Sequence, residues 1–300
     1  MTFLKASKGF LLLSAVLVVG SIVLLITPGP KFSIEFSGGT LLEIQSPNKT
    51  KDDVLAAAEA YEKKTEDDVL GHVTVSAING PAGASFLMRM KPISNEEHVA
   101  LLAHLNETLG SAKELQYTTI GPSLSASLKK NTGLALAVAS VAIITYLAIA
   151  FRKLPRQMKP WKFGVIVVIG FLHDVIVTSG FFVIISRFTS FEFDPLFVTA
   201  LLTILAYSAN DSIVIFDRIR DNMGHENRHA SLAEIVEKGL RECVTRTVNT
   251  MAAALIMLVT LFFLGSESIK WFILALIFGT VIGAYSSYFI AAPLLVYWKR

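Results

Sequence analysis

One cysteine in 300 residues rules out any disulfide within the chain, so Cys243 belongs to no oxidised framework and redox chemistry is not expected. Charge is sparse: Asp, Glu, Lys and Arg make up 17% of the residues against 53% hydrophobic, and the mean hydropathy of +0.56 excludes an ordinary soluble domain of this length. Metal-ligand spacing and a nucleophile–base constellation are both missing. His72, His98 and His104 are scattered and read as packed or solvated side chains, not as ligands. No metal, no organic cofactor and no nucleic-acid partner is expected, nor is enzymatic catalysis.

Long apolar runs are what the chain does have. A spanning helix needs about twenty mainly apolar residues, and six stretches approach that: 9–26, 133–151, 163–185, 196–216, 248–264 and 269–297. The pattern predicts an α-helical polytopic membrane protein with six transmembrane helices. Lys5 and Lys8 precede the first run as in a signal peptide, but no small-x-small cleavage site closes it, so a retained helix is expected. Arg152, Lys153, Arg156, Lys159 and Lys162 crowd the second link. Arg218, Arg220, Arg228, Lys238, Arg241 and Arg246 mark the fourth link, and Lys299 and Arg300 the end. By the positive-inside rule these face the cytoplasm, which places both termini there and residues 31–120 outside.

The segment 31–120 holds eight basic and thirteen acidic side chains, against nineteen and eleven in the rest of the chain, the asymmetry that orientation requires. Residues 39–45 read as a strand, 52–64 as a helix, 72–78 as an alternating strand, and 79–83 (NGPAG) as a turn answered by a strand over 85–90. Ser94 opens a capping-box spacing ahead of a helix through Leu109, and 114–119 supplies a last strand. The order βαββαβ predicts a ferredoxin-like α+β domain between helices 1 and 2. The acidic cluster Glu66, Asp67, Asp68 reads as a solvated loop. The expected division is 1–30 (N-terminus and first helix), 31–120 (external domain) and 121–300 (five further helices).

Ionisable groups inside apolar runs are costly and mark function. Asp211 lies fifteen residues into the fourth run, His173 and Asp174 lie in the third, and Arg246 stands two residues before the fifth. At about 1.5 Å per residue, Asp174 is roughly 16 Å and Asp211 roughly 8 Å from the cytoplasmic ends of their runs. Arg246 could reach Asp211 if spans four and five are neighbours, forming a pair that small movements of the cation would poise. Ser208, Asn210 and Ser212 could hydrogen-bond a carboxyl or a water chain. Gly279 and Gly283, at GxxxG spacing, read as helix packing. Asp217, Arg218 and Arg220 read as anchors at the membrane surface.

The residues at 33–40 (SIEFSGGT), 121–123 (GPS), 171–174 (FLHD), 206–222 (AYSANDSIVIFDRIRDN), 245–250 (TRTVNT) and 283–294 (GAYSSYFIAAPL) resemble, in order, the motifs of the SecF branch of the SecD/SecF protein-export family, nearly end to end. The family pattern has Gly, Asp and Thr where this chain has Ser33, Glu35 and Ser37, and Gly and Thr where it has Ala206 and Ala284. The resemblance implies that Asp211 and Arg246 belong to a proton-responsive pair, with Asp174 a lesser member and His173 beside it, and that Glu35, Gly38 and Gly39 form the family motif of the external domain. It further implies protons as coupling ion, an RND-like membrane plan, a separate SecD chain as partner, the SecYEG channel and translocating preproteins as associates, and a bacterial or archaeal plasma membrane as location. Only the six-helix SecF half of a twelve-helix pseudo-repeat is present.

Two other classes use buried aspartates. An intramembrane aspartyl protease would carry a GxGD signature where this chain has SAND at 208–211. A proton-coupled small-molecule exporter would be expected to carry both pseudo-repeats and larger external domains. A non-catalytic scaffold for SecD, with Asp211 merely paired, is the plainest reading.

Overall fold

A computed structural model describes residues 2–65, 69–80, 83–150, 160–225 and 230–298. The acidic cluster 66–68, residues 81 and 82 of the turn at 79–83, Arg152, Lys153, Arg156, Lys159, Arg228, Lys299 and Arg300 lie outside these residues. The chain forms two compact units, residues 32–132 and residues 1–31 with 133–300.

Helix α1 (Thr2–Ile26) leads into the smaller unit, which begins with one helical turn, α2 (Ile34–Ser37). Strand β1 (Gly39–Gln45), helix α3 (Lys51–Thr65), strands β2 (Thr74–Gly80) and β3 (Gly83–Met90), helix α4 (Asn95–Leu109) and strand β4 (Lys113–Ile120) follow. Pairing is antiparallel throughout, in the order β2–β3–β1–β4. Alternation along β1 and β3 sends Leu42, Ile44, Phe86 and Met88 to one face, where they form a core with Val54, Ala58, Leu101 and Leu105 of the two helices. The Ser94 hydroxyl accepts from the Glu97 amide while Glu97 accepts from the Ser94 amide, the reciprocal cap expected of that spacing. Thr50 and Asp53 exchange the same kind of bonds ahead of α3, and these hold the Asp53 carboxyl below its ordinary range. His98 is a packed residue: it stacks on Tyr117 at 3.7 Å and bonds Glu114 at 3.0 Å.

The larger unit is helical. To α1 it adds α5 (Pro122–Ala150, whose first turns belong to the smaller unit), α6 (Pro160–Phe188), α7 (Pro195–His225) and α8 (Leu232–Leu264). A 3-10 turn (Glu267–Ile269) then precedes α9 (Lys270–Ser286), a π turn (Ser287–Ala291) and α10 (Ala292–Tyr297). Among the described residues, six helices are long and apolar enough to span a membrane. The most buried are α6, α7 and the α9–α10 run, while α1 and α8 present most of their apolar surface outward.

Helix bounds differ from the apolar runs in five places. The fourth and fifth spans are not bounded at Phe216 and Val248: α7 continues to His225 and α8 begins at Leu232, because charged residues are good helix formers and hydropathy does not register them. Ser231 and Glu234 form a second reciprocal cap that starts α8. The first span extends back to Phe3, and the second starts at Pro122, well placed at a first helical position. The last run is not one regular helix. Pro293 would clash with the carbonyl four residues earlier, and the chain widens into the π turn just before it, where the Ala292 amide donates to the Ser287 carbonyl.

Candidate functional site: a polar layer between two apolar clusters

Two hydrophobic clusters fill the helical unit. One gathers Phe163, Phe216, Ile219, Val236, Leu240 and Leu295, the other Phe182, Phe191, Phe197, Ile204, Ile273 and Leu276. Along α6, α7 and α9 the polar residues fall at the changeover between these clusters.

Asp174 is completely buried. Its Oδ2 accepts from Ser208 of α7 at 2.6 Å and from Ser286 of α9 at 2.9 Å, and Oδ1 lies 3.0 Å from Nδ1 of His173. A carboxylate in an apolar surround is tolerated when several donors satisfy it, and here the donors come from three helices. Ser287, first residue of the π turn, bonds Ser212 of α7 at 2.9 Å, and the Tyr288 hydroxyl lies 3.1 Å from Thr247 of α8. The π turn thus aims successive polar side chains at different neighbours, which a regular helix would spread around its circumference. Among the described residues, His173 Nε2, Thr178 Oγ1 and Thr280 Oγ1 are buried without a hydrogen-bond partner.

Asp211 is half-buried, three residues from Ser208 and about 4.5 Å further along α7. The depth separation from Asp174 is smaller than the apolar runs suggest, because the ends of those runs are not the ends of the helices. Asp211 lines a cavity of about 90 Å3 with Tyr207, Ser208, Asn210, Thr250 and Thr280. The charge of Arg246 on α8 is felt at Asp211, yet the two side chains form no direct ion pair among the described residues. Arg246 instead lines a wider cavity of about 360 Å3 with Asp217, Arg218, Asp221, Glu242 and Cys243. Arg218 bridges α7 to α8 through Glu242 at 2.8 Å, and Asn222 bonds the same carboxylate. It therefore does more than anchor a helix end.

Gly279 and Gly283 both pack on α7. A β-carbon at Gly279 would enter Ile204, and one at Gly283 would lie 3.3 Å from Ser208 Cβ and 3.7 Å from Asp174 Oδ2. The first is helix packing alone, whereas the second borders the polar layer. In the smaller unit Glu35 is half-buried in α2, and Gly38 and Gly39 (φ 75° and 129°) turn the chain into β1, where a β-carbon on Gly39 would meet the Met90 carbonyl oxygen at 2.8 Å.

Residue types named the polar positions, but three features escaped the sequence reading: Ser286 and Ser287 as partners, the π turn, and Glu237. This last side chain is buried in α8 and accepts the Phe3 and Leu4 amides at the start of α1, at 3.2 and 3.1 Å. The signals were present as a serine pair six residues ahead of a helical proline, and a capping box ahead of 232.

Residues 101–300 match the family described as "Protein export membrane protein SecD/SecF, C-terminal", and residues 23–46, which include Gly38 and Gly39, match "SecD/SecF GG Motif". A "Protein translocase subunit SecF" of Thermobaculum terrenum is 36% identical over 97% of this chain and 92% of its own length. A "Protein translocase subunit SecDF" of Bacillus subtilis is 31% identical over 99% of this chain, which spans 38% of that longer protein. The crystal structure of SecDF from Thermus thermophilus, described as a translocon-associated membrane protein, superposes over 100% of this chain and 38% of its own with a TM-score of 0.81 at 29% identity. A second SecDF structure, titled "in Super-membrane-facing form", gives 0.66 at the same identity over 99% of this chain and 38% of its own. These relatives are named as transport components rather than enzymes. Six candidate spans, the glycine motif and relatives matching nearly end to end place this chain in the SecD/SecF protein-export family, among its SecF members.

Proposed function

We propose that this chain works with a separate SecD partner beside the SecYEG channel, and that protons entering down the proton-motive force at Asp211 drive a conformational change that promotes preprotein export. The observation that carries this reading is the setting of Asp211: a carboxylate within a span, opening on a cavity of mixed polar and apolar lining, reached by the charge of Arg246 and not locked into an ion pair with it. A static neutralised pair would need direct contact. A titrating switch needs a carboxylate that water can reach and a cation free to approach or withdraw.

Several features support the wider assignment. The longer SecDF relatives join a SecF-like part to additional chain, which favours a SecD partner here. Two SecDF structures fit this chain unequally, in keeping with a machine of more than one shape. The basic residues between α5 and α6 favour cytoplasmic termini in a bacterial or archaeal plasma membrane. The strand order β2–β3–β1–β4 with two covering helices supports a ferredoxin-like external domain over about 31–120, the part available to be moved. One charge crossing 100 mV supplies about 2.3 kcal/mol, less than the roughly 5.5 kcal/mol that takes a two-state element from 1:99 to 99:1. More than one titrating site, or a pH gradient adding to the potential, is therefore required for a full swing.

The test is Asp211→Asn in inverted membrane vesicles that export a preprotein. The variant should lose the part of export that depends on the proton-motive force while SecD still co-purifies with it. Unchanged export in energised vesicles would overturn the reading.

A further inference from the structure

Ser208 stands between Asp174 and the cavity of Asp211. Ser208 donates to Asp174 Oδ2 at 2.6 Å and lines the same cavity as Asp211. Oxygen and nitrogen atoms of Tyr207, Asn210, Thr250 and Thr280 are offered by the rest of that wall. Thr280 is 8% exposed, and its Oγ1 has no partner among the described residues. The cavity of about 90 Å3, lined also by Met251, Ala254 and Ala284, is large enough to hold water. Gly283 keeps this wall thin, since a β-carbon there would crowd Ser208 at 3.3 Å and come into contact with Asp174 Oδ2 at 3.7 Å.

We infer that Asp174 is a second proton-binding carboxylate of this chain, exchanging its proton with Asp211 through the Ser208 hydroxyl and the water of the cavity that Ser208 and Asp211 line. The inference rests on the proton-coupled reading given above. In the transfer, the Asp211 carboxylic acid releases its proton to cavity water, and that water protonates Ser208 Oγ as the Oγ–H bond toward Asp174 breaks and an Oδ2–H bond forms. Asp211 ends as carboxylate, Asp174 as carboxylic acid, and Ser208 is neutral before and after. The other donor to Oδ2 can make way, because Ser286 Oγ also lies 3.0 Å from the Gly283 carbonyl oxygen. Once protonated, Oδ2 donates to Ser208 where it formerly accepted.

Every packed element bears on this site. His173 bonds Asp174 from its own helix and has the ring of Tyr285 of α9 6.0 Å from its own; Tyr207 of α7 lines the cavity with Asp211, and Tyr288 of the π turn is engaged with Thr247. Between Ser14 and Ser21, α1 carries only apolar residues, and Tyr297 of α10 is engaged with Ser7. Arg246 on α8 is the cation whose charge reaches Asp211.

Infrared difference spectroscopy of the full chain in lipid nanodiscs, titrated with pH, tests the inference without any transport readout. The wild type should show two buried carboxylic-acid C=O bands. Asp211→Asn should remove one and move the midpoint of the other by about one pH unit or more, the signature of coupled sites, and Asp174→Asn should remove the second. Ser208→Ala should keep both bands but slow deuterium exchange of the Asp174 band about tenfold or more, with Ser208→Thr restoring it. If Asp174→Asn fails to fold, the Ser208 pair still decides. No titrating Asp174 band, or one indifferent to both Asp211→Asn and Ser208→Ala, overturns the inference while leaving the transport reading standing. Two coupled bands with export indifferent to Asp211→Asn overturn the transport reading.

Discussion

Gly180 of α6 lies so close to Ser21 of α1 that a β-carbon on it would stand 2.3 Å from Ser21 Cβ and 2.6 Å from its Cα. The obstacle includes backbone, so no rotamer change relieves it and the helices must part. Gly180→Ala should destabilise the helical unit by about 1–3 kcal/mol or more, read as a lowered thermal midpoint in detergent. A midpoint equal to wild type would show that α1 is not seated on α6 at this level.

Glu237 should matter for the opposite reason, as a partner removed. Glu237→Ala leaves the Phe3 and Leu4 amides without their acceptor and opens a gap beneath the start of α1. Bonds to a charged group contribute about 1.5–3 kcal/mol, so amide hydrogen exchange over the first turn of α1 should accelerate at least about tenfold. Glu237→Gln, which keeps one carbonyl oxygen, should fall between the two.

Gly39→Ala should unsettle the smaller unit alone. Its φ of 129° suits glycine, and the added carbon would strike the Met90 carbonyl, part of the β1–β3 pairing. Limited proteolysis should cut within 39–120 faster than in wild type, with the helical unit unaffected.

The cap at Thr50 and Asp53 gives α3 an acid-sensitive start. The Asp53 carboxyl is held below its ordinary value of 3.8 by the Thr50 amide and hydroxyl bonds. A lowered carboxylate contributes fully above that value and loses its contribution as pH falls through its own, lower pKa. Exchange at the first amides of α3 should therefore rise on acidification below pH 3.8, and Asp53→Asn should flatten the dependence.

The elements of the smaller unit were largely legible because their signals are local: alternation along 39–45, turn residues after 78, and a serine three residues before Glu97. The larger unit was legible as spans and less so as helix ends. The stretch 232–247 carries the same serine-to-glutamate spacing, at Ser231 and Glu234, but its mixed charges made it read as a connecting link. Asp211 and Asp174 were legible because carboxylates in apolar runs are costly wherever they lie. Their surroundings were not. That Ser208 and Ser286 converge on Asp174 depends on which faces of three helices meet, and nothing in the spacing of one helix specifies that. The expected contact of Arg246 with Asp211 rested on the reach of a long side chain, and in the structure that side chain lines the neighbouring cavity.

Helix α8 is 33 residues long, roughly 50 Å at 1.5 Å per residue, against a hydrocarbon thickness near 30 Å. It is a lever as well as a span. Its stiff overhang carries Glu237, which grips the first turn of α1, and Glu242, which grips Arg218, before the same rod reaches Arg246. Tilting the rod by a few degrees would move the Arg246 charge and tug on α1 in one stroke, so that charge position and helix position share a single mechanical coordinate.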